Sequence, residues 1–169
     1  MGADTVDFSI PDCIYRRSSA GELLYTEDVF VPIHPFDRDL IEEIAAALTS
    51  ELQPEDVLVS PLAIGGHLDH NLTRLAAQHV GRPLYYYADI PYLIDHPEML
   101  VPTTQGLKET LHRVTKKGLA VWQNSIATYA SQMGMLFETP EKMKEVIHHT
   151  WESLGGIRLW SAPVLPLET

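Results

Sequence analysis

The sequence predicts an α/β fold, a mostly parallel β-sheet with helices on both faces. Three observations carry this reading. The apolar run Asp56-Val57-Leu58-Val59-Ser60 has the length and composition of a buried strand. It is followed, across Gly65-Gly66, by Leu72, Leu75, Ala76, His79 and Val80 at helical spacing. A second strand-like run, Arg82 to Ala88, then closes a β-α-β-α-β order, which implies parallel strands joined by helical crossovers.

Taken in order, Asp4 to Ile10 reads as a strand that runs into a loop at Pro11-Asp12-Cys13. Asp37 to Leu52 reads as a helix, with Asp37 or Asp39 as its cap and Leu40, Ile41, Ile44, Ala45 and Leu48 on one face. Asp56 to Ser60 is the buried strand, and His67 to Val80 the next helix. Arg82 to Ala88, with Tyr85-Tyr86-Tyr87 inside it, ends at Asp89-Ile90-Pro91-Tyr92. Leu100 to Thr115 reads as an extended hairpin and Lys116 to Met133 as a helix. Pro140 to Leu154 reads as another helix, with proline in its first turn and Gly155-Gly156 to stop it. Ile157 to Ser161 supplies a closing strand. No repeat, low-complexity tract or linker divides residues 1–169, which read as a single α/β domain.

Composition narrows the function classes. A length of 169 residues with 45% hydrophobic residues suffices for a core. No apolar run is long enough for a membrane span. The opening Met1-Gly2-Ala3-Asp4-Thr5-Val6-Asp7 is acidic and unlike a signal peptide, so a cytoplasmic protein is the expectation. Cys13 stands alone, which fits a reducing compartment. A formal charge of −11 argues against nucleic acid, whose backbone demands clustered Lys and Arg. Homo-oligomerisation stays open.

Chemistry concentrates in Gly65-Gly66-His67-Leu68-Asp69-His70. The glycines permit a tight turn and close approach of a ligand to the backbone. Histidines three apart share one helical face, so His67 and His70 can point at one centre. Imidazole suits zinc and related divalent ions, and a carboxylate such as Asp69 can orient a ligating ring. The same pair could equally be surface histidines at a helix start, with Asp69 favoured there by the helix dipole. A catalytic zinc also needs about three protein ligands, which this cluster does not supply.

Ser60-Pro61-Leu62-Ala63-Ile64-Gly65-Gly66-His67-Leu68-Asp69-His70 resembles the second metal motif of the LmbE-like, or PIG-L, de-N-acetylases. Further segments follow that family's order. Ile10-Pro11-Asp12-Cys13-Ile14-Tyr15-Arg16 looks like its substrate loop. Tyr86-Tyr87-Ala88-Asp89-Ile90-Pro91-Tyr92 looks like its Tyr-Glu-Asp-x-Pro-Tyr stretch, with Ala88 where Glu is common. The helix ending Tyr129-Ala130-Ser131-Gln132 looks like its late helix. The resemblance implies a Rossmann-like fold and a zinc-dependent hydrolase that removes an acetyl group from an N-acetylated amino sugar or related amide. It assigns His70 to zinc and His67 to the oxyanion or the leaving amine. Asp69 would hold a histidine in its working tautomer. Asp12 and Arg16 become candidates for substrate hydroxyls, and Tyr92, beside Pro91 at a strand end, for substrate binding.

The family's opening strand with His-x-Asp-Asp, which brings two zinc ligands and the base, has no counterpart here. The expectation is therefore that the chain corresponds to about the C-terminal two-thirds of the family domain, without its first strand and with an incomplete zinc site. His34-Pro35-Phe36-Asp37 imitates that motif, but N-capping accounts for its Asp. Two other readings remain: a non-catalytic module binding carbohydrate or protein, and a metal hydrolase recruiting His34, His96 or His112. His148-His149 reads as surface, and Trp122, Trp151 and Trp160 as packing between late helices and sheet.

Overall fold

The computed structural model of the protein describes residues 4–162; Met1 to Ala3, part of the acidic opening, lie outside the described residues. A short 3-10 turn at Cys13–Tyr15 is capped by Asp12, whose carboxylate accepts from the Ile14 N–H. A second turn, Pro35–Asp37, is capped by the His34 ring. It leads into α1, Asp39–Glu51, whose N-cap is Arg38, without a side-chain bond. Neither Asp37 nor Asp39 caps this helix. Asp37 is buried instead, where Arg16 and Tyr25 claim its carboxylate.

Strand β1, Leu58–Pro61, runs through Ala63, Gly65 and Gly66, all at positive φ, into α2, Leu68–His79. Strand β2, Leu84–Tyr87, lies parallel to β1 with Leu58 opposite Leu84. The next helical turns are α3, Tyr92–Asp95, and α4, Leu100–Thr104, separated by a 3-10 turn at Pro97–Met99. Strand β3, Lys108–His112, follows. The late helices are α5, Lys116–Ala127, α6, Ala130–Leu136, and α7, Pro140–Leu154. Strand β4, Ile157–Ser161, completes a four-stranded sheet of order β1-β2-β4-β3.

The α/β class is as expected, but the strand directions are mixed. Only β1 and β2 run parallel, and β4 is antiparallel to both β2 and β3. The cause lies at the end of α7. Gly155 adopts φ 70 and stops the helix, and Gly156 passes so close to β3 that a Cβ would stand 2.3 Å from the His112 carbonyl oxygen. The chain thus enters the sheet beside the end of β3, with His112 opposite Ile157, and must run back along it. No hairpin forms within Leu100 to Thr115. The partner of β3 comes from the far end of the chain.

Asp4 to Ile10 is irregular rather than a strand, with Val6 exposed and no strand partner among the described residues. The helix expected over Lys116 to Met133 breaks at Tyr129, whose ψ of 57 leaves the helical region. Both bounds of the Pro140–Leu154 helix hold: Thr139 caps it and Pro140 occupies its first turn. Trp160 is buried in the sheet cluster, and Trp151 donates to the Val114 carbonyl oxygen at 2.7 Å. His148 and His149 are exposed. No helix among the described residues is long and apolar enough to cross a membrane.

Candidate functional site

The turn from β1 into α2 and the turn after β2 meet at the carboxyl ends of the two parallel strands, where ligands collect in sheets of this kind. Gly65 makes the meeting possible. Its φ is +83, and a Cβ there would lie 2.9 Å from the Tyr92 Cβ. Only glycine lets the Tyr92 side chain lie against this backbone.

His67 and His70 do share a face, with ring centroids 5.1 Å apart. Their environments set opposite tautomers. His67 is the N-cap of α2, and its Nδ1 accepts from the Asp69 N–H at 3.2 Å. In the neutral ring the proton is then on Nε2, a donor. Burial, and next the nearby His70, hold His67 below the ordinary imidazole range, which favours this neutral form. His70 is the reverse case. Its Nδ1 lies 2.5 Å from Asp89 Oδ1, so Nδ1–H donates, and in the neutral ring Nε2 keeps a lone pair. Asp89 is 1% exposed and its other oxygen accepts from the Ile64 N–H at 3.1 Å. Tyr92 closes the cluster edge-on to His70 at 5.4 Å, and Phe30 stands edge-on to His67 at 5.7 Å. Burial, and then Asp89, raise the Tyr92 phenol above its usual range, so it stays a donor.

Asp69 was expected to hold a histidine, but its carboxylate is taken up by the loop before it. It accepts from Arg16 Nη2 and, at 3.0 Å, from the Cys13 N–H. The carboxylate that orients a ring is Asp89. Arg16, expected at substrate hydroxyls, is 6% exposed and donates to the Pro11 carbonyl, Asp37 and Asp69. Asp12 is exposed and lies beside this network, lining the same cleft as Arg16 and Asp69. Of the six site residues read from the sequence, His67, His70 and Tyr92 therefore come together, while Asp12, Arg16 and Asp69 form a second group on the adjoining loop. Asp89 and Phe30 are the residues that sequence reasoning passed over. An acidic residue directly after a buried strand signals Asp89, but nothing local signals Phe30.

A zinc ion asks for about three protein donors. His70, with Nδ1 held by a carboxylate and Nε2 unprotonated, has the form of a ligating imidazole. Among the described residues no group of three donors includes it. One such group exists elsewhere: donor atoms of Asp12, Cys13 and Asp69 lie within 4.8 Å of one another. That spacing is compatible with a metal, but a cation there would compete with Arg16 for Asp69. Burial, then Asp69, also pushes the Cys13 thiol up to about 12, far from the thiolate a metal needs. The described residues thus supply one well-set imidazole and no complete zinc site around it. His34 caps a turn, and His96 and His112 are exposed, so none of the three adds a donor beside His70.

No family model matches the chain, and no curated protein matches it. Solved structures do. The zinc-inhibited form of teicoplanin deacetylase Orf2 superposes with a TM-score of 0.70 at 23% identity, over 89% of this chain and 64% of that one. A deacetylase complex with bog from teicoplanin biosynthesis gives 0.69 at 25% identity, over 89% and 62%. The chain thus spans less than two-thirds of the length of these structures, and shares their fold over most of its own.

Proposed function

We propose that this chain holds the histidine pair of an amide hydrolase of the de-N-acetylase type, acting on an N-acetylated amino sugar or related conjugate. One observation carries the reading: two neighbouring imidazoles at a strand end, one presenting a donor and the other a lone pair, with a buried Asp89 dedicated to the second. The fold shared with deacetylases supports it. A binding-only module would leave the Asp89–His70 pair without a task.

His67 Nε2–H donates to the carbonyl oxygen as charge develops there, a role that needs the neutral ring its surroundings favour. The N-terminus of α2 adds a field that suits the same negative charge. Tyr92 and Asp12 orient the substrate's hydroxyl or amide groups. Asp69 and Arg16 are positioning residues that lock the Cys13 turn against α2. Zinc is the cofactor this reading implies: His70 Nε2 would be the imidazole nitrogen that holds it, and the ion would supply Lewis acidity toward water and the carbonyl.

The test reads tautomers and activity together. Long-range nitrogen–proton NMR of the imidazoles should find the proton on Nε2 of His67 and on Nδ1 of His70. Asp89→Asn should lose the His70 assignment and lower acetate release from an N-acetylglucosamine conjugate by about 10–100-fold. Hydrolysis unaffected by His70→Ala, or a His70 ring protonated on Nε2 instead, would overturn the proposal.

A further inference from the structure

The loop between Tyr25 and His34 presents one apolar side chain that the fold does not bury. Val29 and Val31 pack inward against the cluster of Cys13, Tyr25 and Leu68. Phe30, between them, stays 50% exposed. A single exposed apolar residue on a loose loop would need no explanation. This one is held in place. The Leu68 N–H donates to the Val29 carbonyl oxygen at 2.9 Å, and the Phe30 N–H donates to Asp28 Oδ1 at 2.9 Å. The loop's ends are tied by the Tyr25 hydroxyl, which accepts from the His34 N–H at 2.8 Å. Leu68 directly follows the His67 cap, so one turn fixes both the loop and the imidazole.

The Phe30 ring centroid stands 5.7 Å from His67 and 5.9 Å from Tyr92, at interplanar angles of 88° and 74°. His67 and Tyr92 in turn contact His70, at 5.1 and 5.4 Å. The rings therefore run from His70, through His67 and Tyr92, to Phe30. An amide reacting at the two histidines leaves Phe30 beside the parts of the substrate that do not react. Those parts are the acetyl methyl and the substituent on the amine. Half-exposed, Phe30 leaves roughly 100 Å² open, far more than one methyl group covers. A pyranose has the size to cover it, and its C–H face matches a side chain without polar atoms. We propose that Phe30 determines specificity by taking the C–H face of the sugar ring that carries the acetamido group. The inference rests on the hydrolase reading for where the amide sits, and goes beyond it in naming the side chain that tells a cyclic amino sugar from an open-chain amide. The contact is the same before and during the reaction, so it lowers KM and leaves kcat nearly unchanged.

Methyl N-acetyl-β-glucosaminide and N-acetylserinol, titrated by NMR into protein with labelled phenylalanine rings, test the proposal through binding. Both carry an acetamide and hydroxyls, but only the first has a ring. The glucosaminide should shift the Phe30 signals and bind about threefold to tenfold more tightly, the scale of one ring contact. Phe30→Ala should erase that difference, and Phe30→Tyr, which keeps the ring, should retain it. Lengthening the acyl group from acetyl to hexanoyl should bring no gain that depends on Phe30. Equal affinities in the unaltered protein, a preference that survives Phe30→Ala, or a hexanoyl gain that Phe30→Ala removes would each overturn the proposal. Acetate release that His70→Ala leaves unchanged would sink the hydrolase reading instead, because the ring preference is read without turnover.

Discussion

Arg16 donates to acceptors from three separate stretches: the Pro11 carbonyl, Asp37 and Asp69. Tyr25 adds a hydroxyl donor to the same Asp37 oxygen, and the His34 N–H donates to that hydroxyl. Substituting Arg16→Met leaves a buried carboxylate without its cation, and breaking such a pair costs about 3–5 kcal/mol. Urea unfolding should report that loss through its midpoint. A loss below about 1 kcal/mol would mean that the pair is a surface-like contact of little worth. His67 makes a pH-dependent contribution whose sign follows from its lowered affinity for protons in the fold. Just below about pH 6.5 the unfolded chain takes up a proton at this ring and the folded chain does not. The unfolded state then binds more protons, so stability falls as pH drops from about 6.5 through the folded value. His67→Asn keeps a good N-cap and removes the titration. Unfolding measured between about pH 5 and pH 7 should show a flatter dependence in that variant.

At the scale of the element, the turn between β1 and α2 determines the site. Gly65 and Gly66 both have φ near the left-handed region, at +83 and +80, but only Gly65 is pressed against a side chain. Alanine at either position should cost about 1–3 kcal/mol of backbone strain. Only Gly65→Ala should also push Tyr92 away from His70, so its melting temperature should fall further than that of Gly66→Ala, and the Tyr92–His70 contact in NMR spectra should be lost in that variant alone. Much at this scale was legible in the sequence. The α2 helix, its histidine pair and the capped α7 helix are local features, encoded by side-chain spacing, a Thr-Pro start and a glycine stop. The break at Tyr129 was not legible, because apolar spacing continues across it while the backbone turns. Nor was the role of Asp89, which meets a ring 19 positions earlier in the chain.

For the whole molecule, the decisive fact is the position of β1 at the edge of the sheet. It pairs only with β2 among the described residues, and Val57 and Val59 are 53% and 51% exposed. Unpaired backbone beside apolar side chains is a template for association. Light scattering and sedimentation of this polypeptide should show concentration-dependent self-association, and Val59→Lys should reduce it by placing a charge on that edge. Monomeric behaviour at high concentration for the unaltered chain would contradict this.

The sequence by itself determined the α/β class, the handover from strand to helix at Gly65-Gly66, and the presence of two histidines on one helical face. Each depends on residues within a few positions of one another, where periodicity and capping act directly. Only the tertiary structure decided that Asp89 serves His70, that Asp69 serves Arg16, and that β4 slips antiparallel between β2 and β3. Those outcomes join segments far apart in the chain, and local spacing carries no record of which distant partner completes the burial of a charge or the edge of a strand.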